Sequence, residues 1–244
     1  MTVETLAPMR LKSGAFGPAR SEVEVFASLV PMANARVLEL GCGKADVLRR
    51  LASEYPDSRF LALEVDAVQG ALNAKSEAPG NLAFGTGGAE AIPAIDDAFD
   101  AVLMLKSLHH VPRAELDRAL HEIHRVLRPG GLALFSEPVF AGEYNEVIRI
   151  FHDEEEVRSL AFDALQRAVA TGLFALEEEL FFTRVVNFTS FAHFQDAVIG
   201  VTHTQHHLAE AQIQRTRERF ARNARPDGSA TFEAPMRVDL LRRP

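Results

Sequence analysis

The chain has 244 residues, 47% of them hydrophobic and 25% charged, and carries a net charge of −8. That is room for one large α/β unit or a core with a cap, and the acidic balance argues against a protein that grips nucleic-acid phosphates. Cys42 is the single cysteine, which excludes an intrachain disulfide and a multi-cysteine zinc site.

Residues 1–20, with Pro8, Gly14, Gly17 and Pro18, read as an irregular arm without an apolar leader core. No uncharged apolar run approaches the length of a membrane span, so the expected compartment is the cytoplasm, with no membrane partner. Ser21 and Glu24 have capping-box spacing and predict a helix to about Val30. Strands and helices then alternate. Arg36–Leu40 is a short apolar strand, Asp46–Glu54 has helical spacing, and Phe60–Val65 is a second strand. A short helix over Val68–Ser76 and a weak strand at Leu82–Phe84 follow. Ala101–Leu105 is continuously apolar, as a strand covered on both faces must be. Glu115–Leu127 is an amphipathic helix ended by Pro129-Gly130-Gly131, and Leu132–Phe135 is the next strand. This alternation predicts a doubly wound, mostly parallel sheet with its core at about 34–138. Beyond it the pattern predicts a long helix over Asp153–Thr171, a strand over Leu180–Asn187, helices over 188–224 and a last strand at Met236–Leu241.

Chemistry concentrates where the first strand ends. Gly41-Cys42-Gly43 joins that strand to a helix whose N-terminus points backbone N–H groups at a ligand. Gly41 suits a tight turn, and Gly43 leaves room for a ligand against the backbone. A dinucleotide fingerprint has a third glycine, but Asp46 stands there, and Glu39 precedes the loop. Such acids repel a pyrophosphate and favour a cationic adenosyl ligand. Asp66 lies 25 residues after Gly41, near the offset of a ribose-binding acid. Glu64 shares its side of the strand; Asp66 is preferred here as the acid at the strand's end.

These residues carry a family resemblance. Val37-Leu38-Glu39-Leu40-Gly41-Cys42-Gly43 resembles the first motif of class I S-adenosylmethionine-dependent methyltransferases, and Leu63-Glu64-Val65-Asp66 their second acidic motif. Gly87–Pro93 with Phe99-Asp100-Ala101-Val102, then Leu108-His109-His110-Val111 and Val126–Gly131, complete the order over about 36–137. The likeness is strongest to the small-molecule branch that includes ubiquinone and menaquinone biosynthesis methyltransferases. It implies a seven-stranded sheet with helical cap insertions, S-adenosyl-L-methionine as cofactor and S-adenosyl-L-homocysteine as product. It assigns the cofactor to Glu39, Gly41, Cys42, Gly43, Asp66, Gly88, Ala89, Glu90 and Lys106, with no metal. One departure stands out: Gly88 replaces the Asp usual before the Ala-Glu pair, so adenine recognition falls to backbone groups or Glu90, and Gly88→Asp is expected to tighten binding.

The expected reaction is methyl transfer to O or N of a small, aromatic or anionic molecule, mainly by positioning. The alternatives are an NAD-dependent or nucleotide-sugar enzyme and a non-catalytic cofactor-binding regulator. His109 and Glu137, after the fourth and fifth strands, are the candidate bases, alongside a structural role for the His109-His110 pair. His203, His206 and His207 are read as a helix face rather than a metal site, because the glutamate of a zinc-protease motif is missing. Arg215, Arg217, Arg219, Arg222 and Arg225 read as a solvated face, with docking of an anion as the minority reading. Phenylalanines after 138, from Phe140 to Phe194, are expected in the core with some walling a substrate pocket, and Tyr144 and His152 on a lid above it. The division expected is an N-terminal arm and helical lid over 1–33, a cofactor core over 34–138, and a sheet-completing, capping part over 139–244. The oligomer is expected to be a monomer or homodimer.

Overall fold

The computed structural model describes residues 9–14, 16–201 and 208–244. Seven strands, β1 (Arg36–Leu40), β2 (Arg59–Glu64), β3 (Leu82–Thr86), β4 (Phe99–Leu105), β5 (Leu127–Pro138), β6 (Ala175–Phe188) and β7 (Ala230–Arg242), form one sheet in the order β3-β2-β1-β4-β5-β7-β6. β1 to β5 run parallel, β7 is antiparallel to β5, and β6 is antiparallel to β7. Helices α1 (Glu22–Leu29), α2 (Asp46–Glu54), α3 (Ala67–Lys75) and α4 (Leu116–Val126) precede or cross between the parallel strands. The later helices are α5 (Gly142–Ile148), α6 (Glu155–Ala170), α7 (Phe191–Phe194) and α8 (Glu210–Ala221). The doubly wound seven-stranded fold expected from the sequence is the fold observed.

Strand side chains alternate between two apolar layers, as the pleat requires. On one face Val37, Phe60, Leu103 and Leu134 meet Phe26 of α1 and Leu48 and Leu51 of α2. On the other, Leu38, Val102, Met104 and Phe135 meet Leu120 and Ile123 of α4 and Leu165 of α6. No helix among the described residues is long and apolar enough to cross a membrane.

β6 and β7 are longer than the sheet they complete. β5 ends at Pro138, opposite Met236, whereas β6 and β7 continue to pair from Thr183–Pro235 out to Phe188–Ala230. This two-stranded ribbon overshoots the carboxyl end of the parallel strands, the end at which open α/β sheets bind ligands. A two-stranded ribbon needs a packed face. It gets one from Phe188, Phe191, Phe194, Phe220 and Phe232, which cluster with Val147 of α5. Five of the late aromatics therefore build the cap's own core. On the ribbon's outer side, Gly17, Pro18 and Arg20 bond to Thr183 along β6. A Cβ on Gly17 would collide with the Phe181 carbonyl oxygen. α1 then turns back toward the sheet's ligand end.

Candidate cofactor cleft and acceptor cavity

The loop after β1 is held open by backbone geometry. Gly41 and Gly43 have φ of 64° and 53°, and Ala45 also takes a left-handed conformation at 56°, a cost that only glycine avoids. A Cβ on Gly41 would stand 2.8 Å from the Ser107 Cβ, so the turns after β1 and β4 pack directly. Ser107 Oγ donates to the Leu40 carbonyl at 2.8 Å. A Cβ on Gly43 would meet nothing within 4 Å, which leaves a cradle against the backbone. Asn73 of α3 steadies it by donating to the Gly43 carbonyl at 2.7 Å. Cys42 is buried at the loop's centre.

The acids of this cleft divide differently from the expected assignment. β2 ends at Glu64, not at Asp66. Glu64 Oε2 accepts the Gly43 N–H at 2.7 Å, and Oε1 accepts the N–H groups of Val65 and Asp66 at 2.8 and 2.9 Å. Asp66 is the N-cap of α3, its Oδ1 accepting the Val68 N–H at 2.9 Å. The two-residue step that puts both acids on one side of an extended strand fails because β2 stops at Glu64 and the chain bends at Val65 before Asp66 caps α3. Glu39 is 3% exposed, and its Oε2 has no hydrogen-bond partner among the described residues. Burial raises its carboxyl to about 8, with Lys106 pulling the other way. A buried acid with an unbonded oxygen, on the strand that leads into a loop open at Gly43, fits a cationic ligand better than a pyrophosphate.

On the far side of the cleft, the Glu90 carboxylate occupies the space that a Gly88 side chain would need. Gly88 is thus what lets Glu90 fold back over the loop. Ala89 is buried. Arg125 of α4 braces this segment through the Ile92 and Ala94 carbonyls at 3.0 and 2.8 Å.

Lys106 follows β4 with φ of 60°. Its Nζ meets Glu22 of α1 at 2.5 Å, and Glu22 stands 4.0 Å from Arg184 of β6. This chain of charges divides two cavities. One, of about 490 Å³, lies between the start of α1 and Asp46, Val47 and Arg50 of α2. The other, of about 180 Å³, lies beyond Lys106 under α5 and α6. Arg184 lines both.

His109 and Glu137 are both buried, and they face each other through Nδ1 and Oε2. Glu137 Oε1 also accepts the Leu108 N–H at 2.9 Å, and His109 Nε2 lies 3.4 Å from Glu154. Burial pushes the imidazole down, but Glu137 and Glu154 outweigh it and hold His109 at about 9. Burial likewise works to raise Glu137, yet His109 and Arg237 keep it below the ordinary carboxylate value. At neutral pH the pair is an imidazolium against a carboxylate with both ring nitrogens engaged. That is the geometry of a brace for the turn after β4, not of a base awaiting a proton. His152 pairs with Glu154 at 2.8 Å, whereas Tyr144 lines the smaller cavity.

Among the described residues His109, His110 and Glu154 bring three potential ligand atoms within 4.8 Å of one another. A metal needs a neutral imidazole, which the pairing of His109 opposes. His203, His206 and His207 lie outside the described residues. The α8 arginines turn elsewhere: Arg217 stacks on Phe191 at 4.3 Å and Arg219 pairs with Glu143 at 2.8 Å. No phenylalanine lines the smaller cavity; the late aromatics spend their area on the ribbon. Glu22, Asn145, Arg158 and Arg184 were not anticipated as site residues. Arg184 alone left a signal, a cation inside the apolar strand Phe181–Val186.

Comparison with known proteins bears on the same segment. Residues 37–131 match the model of a methyltransferase domain. The chain is 35% identical over 102 residues to a fatty-acid O-methyltransferase of Mycolicibacterium smegmatis, covering 42% of this chain and 36% of that one. It is also 35% identical over 106 residues to the ubiquinone/menaquinone biosynthesis C-methyltransferase UbiE of Methylobacterium nodulans, covering 42% and 41%. This chain therefore spans well under half the length of either protein. The YcgJ protein of Bacillus subtilis has the same fold, with a TM-score of 0.63 at 16% identity over 91% of this chain and 97% of that one. The matched segment begins on β1, takes in the glycine loop and the turn after β4, and closes on β5. Over that part of the sheet the chain is similar to a methyltransferase domain, and the fold as a whole is that of the solved YcgJ neighbour.

Proposed function

We propose that the protein binds S-adenosylmethionine and transfers its methyl group to an oxygen or nitrogen of a small molecule. The observation that carries this reading is Glu39, whose buried Oε2 has no hydrogen-bond partner among the described residues, on the strand before a glycine loop with room for a ligand. Burial holds it up at about 8 despite Lys106, so a cation arriving in the cleft would turn it into a stabilised carboxylate. When bound, the cofactor supplies a methyl group made electrophilic by its sulfonium.

The chain's own residues then have distinct tasks. Glu64, already gripping the Gly43 N–H, keeps a lone pair for a ribose hydroxyl and takes the role first expected of Asp66. Glu90, folded over Gly88, stands in for the missing Asp at the adenine end. The Lys106–Glu22 pair closes the cleft on the side of the smaller cavity and helps exclude water. His109 and Glu137 hold the turn after β4 rigid. With both groups occupied by each other, catalysis rests on positioning, and the acceptor must be one that needs no strong base.

Calorimetric titration with S-adenosylmethionine, S-adenosylhomocysteine and NAD tests the reading. The first two should bind and NAD should not; binding of NAD alone would overturn it. Methyl transfer to candidate acceptors then separates an enzyme from a cofactor-binding regulator.

A further inference from the structure

The cavity beyond Lys106 is walled by three separate elements: Tyr144 and Asn145 come from α5, Arg158 from α6 and Arg184 from β6. Its charged lining sets Lys106, His109, Arg158 and Arg184 against one carboxylate, Glu154. Three of these cations are answered within the chain. Lys106 has Glu22, His109 has Glu137, and Arg158 has Glu154 at 2.5 Å. Arg184 meets Glu22 at 4.0 Å, the outer limit of an ion pair, and bonds the Tyr144 hydroxyl, which leaves its Nε unused.

Three donors in this wall are buried with no hydrogen-bond partner among the described residues: Asn145 Nδ2, Arg158 Nε and Arg184 Nε. Arg158 Nη1 donates to Asn145 Oδ1 at 3.0 Å, which leaves the Asn145 amide nitrogen as the unused end. Buried donors are normally satisfied, and each orphan costs about 1–3 kcal/mol. Three such donors on residues that line one small cavity call for an acceptor rather than a cation or an apolar group. Guanidinium donors suit a planar oxyanion. The rest of the wall, including Val139, Ile148 and Pro235, suits a compact apolar body.

We propose that this cavity holds an oxyanion group of the methyl acceptor, a carboxylate in the first instance, between Arg184, Arg158 and Asn145. The proposal rests on the methyltransferase reading above for what the ligand is, and on the orphaned donors for its charge. It also fits the occupied His109–Glu137 pair, because an acid already ionised at neutral pH needs no base.

The test is calorimetry of the 244-residue chain, with and without S-adenosylhomocysteine, against benzoate, benzamide and phenyl phosphate. Benzoate should bind at least tenfold more tightly than its uncharged isostere benzamide. A preference for phenyl phosphate over benzoate would support the oxyanion site and assign it to phosphate. Arg184→Gln and Asn145→Asp should each weaken benzoate at least tenfold while S-adenosylhomocysteine affinity holds, which reports that the fold and cofactor cleft survive. Arg217→Gln on α8 should change neither. Equal binding of benzamide and benzoate, no binding of any probe, or benzoate affinity untouched by both cavity variants would overturn the proposal. Benzoate binding in the expected pattern by a chain that takes neither S-adenosylmethionine nor S-adenosylhomocysteine would keep the anion site and overturn its assignment to a methyl acceptor.

Discussion

The two ligand-facing regions of this molecule are opposite in charge and alike in being incomplete. In the cleft at the glycine loop a buried carboxyl oxygen, Glu39 Oε2, has no partner among the described residues. On the lining of the cavity beyond Lys106 the buried atoms without partners among the described residues are donors, on Arg158, Arg184 and Asn145. Lys106, which lines that cavity, pairs with Glu22 of α1 at 2.5 Å. A protein that leaves buried polar groups unsatisfied pays in stability, and the sign of each deficit describes the missing partner. One region is short of a cation and the other of an anion, the complementarity that the proposed transfer from a sulfonium to an anionic acceptor would use.

The largest expected effect would break the cofactor half of this contrast. Glu64→Ala removes a carboxylate that accepts three backbone N–H groups. Calorimetry should show S-adenosylmethionine affinity down about a hundredfold, since charge-assisted bonds contribute about 1.5–3 kcal/mol each. Unchanged affinity would return the ribose contact to Asp66.

Next in size is the pH response of the wall between the regions. His109 holds its proton more tightly folded, at about 9, than unfolded, near 6.5. The stability it contributes is complete below about 6.5 and is lost as pH rises through 9. That loss is on the order of 3 kcal/mol, visible as a fall in Tm by thermal denaturation. His109→Gln should flatten the fall; an equally steep fall would remove His109 from the role of brace.

Glu39 sharpens the contrast through protons. Its carboxyl stands at about 8 in the free protein, so the stability held by its protonated form is lost as pH rises through that value. A bound cation favours the ionised form. Affinity for S-adenosylmethionine should therefore rise by up to about tenfold per pH unit between 6 and 8, with a proton released on binding. Glu39→Gln should abolish both in buffers of differing ionisation enthalpy. A pH-independent affinity in the native chain would mean that the cation does not face Glu39.

Asp66→Ala should cost about 1 kcal/mol of stability as the loss of a helix cap, with little change in cofactor affinity. The smallest effect is expected of Gly88→Asp. The Glu90 carboxylate already fills that space, and two acids there would repel. Affinity should move only a fewfold, against the clear gain that the sequence pattern suggests. A large gain would show that Glu90 is a poor substitute.

Much of the cofactor region was legible in the sequence. β1, α2, β4 and α4 are local patterns: apolar runs of fixed length, helical spacing, and glycines at a turn. Gly41 and Gly43 could be read because only glycine takes those φ values without cost. The choice between Glu64 and Asp66 was not legible, because it depends on where β2 stops and α3 begins. The acceptor region was hardly legible at all. Its residues come from α5, α6 and β6, 40 residues apart from Tyr144 to Arg184, and no spacing rule links them. The role of the late phenylalanines was also ambiguous, since a residue that walls a pocket and one that packs a ribbon look the same in sequence.

By itself, then, the sequence determined the parallel sheet, the glycine loop and the acidic, cation-seeking character of the first cleft, because these follow from local backbone chemistry. Only the tertiary structure decided that His109 and Glu137 satisfy each other, that the Glu90 carboxylate fills the space beside Gly88, and that three buried donors beyond Lys106 have no partner among the described residues. Those outcomes depend on which side chains the overshooting β6–β7 ribbon brings within hydrogen-bond reach, and burial and pairing are properties of neighbours in space, not in the chain.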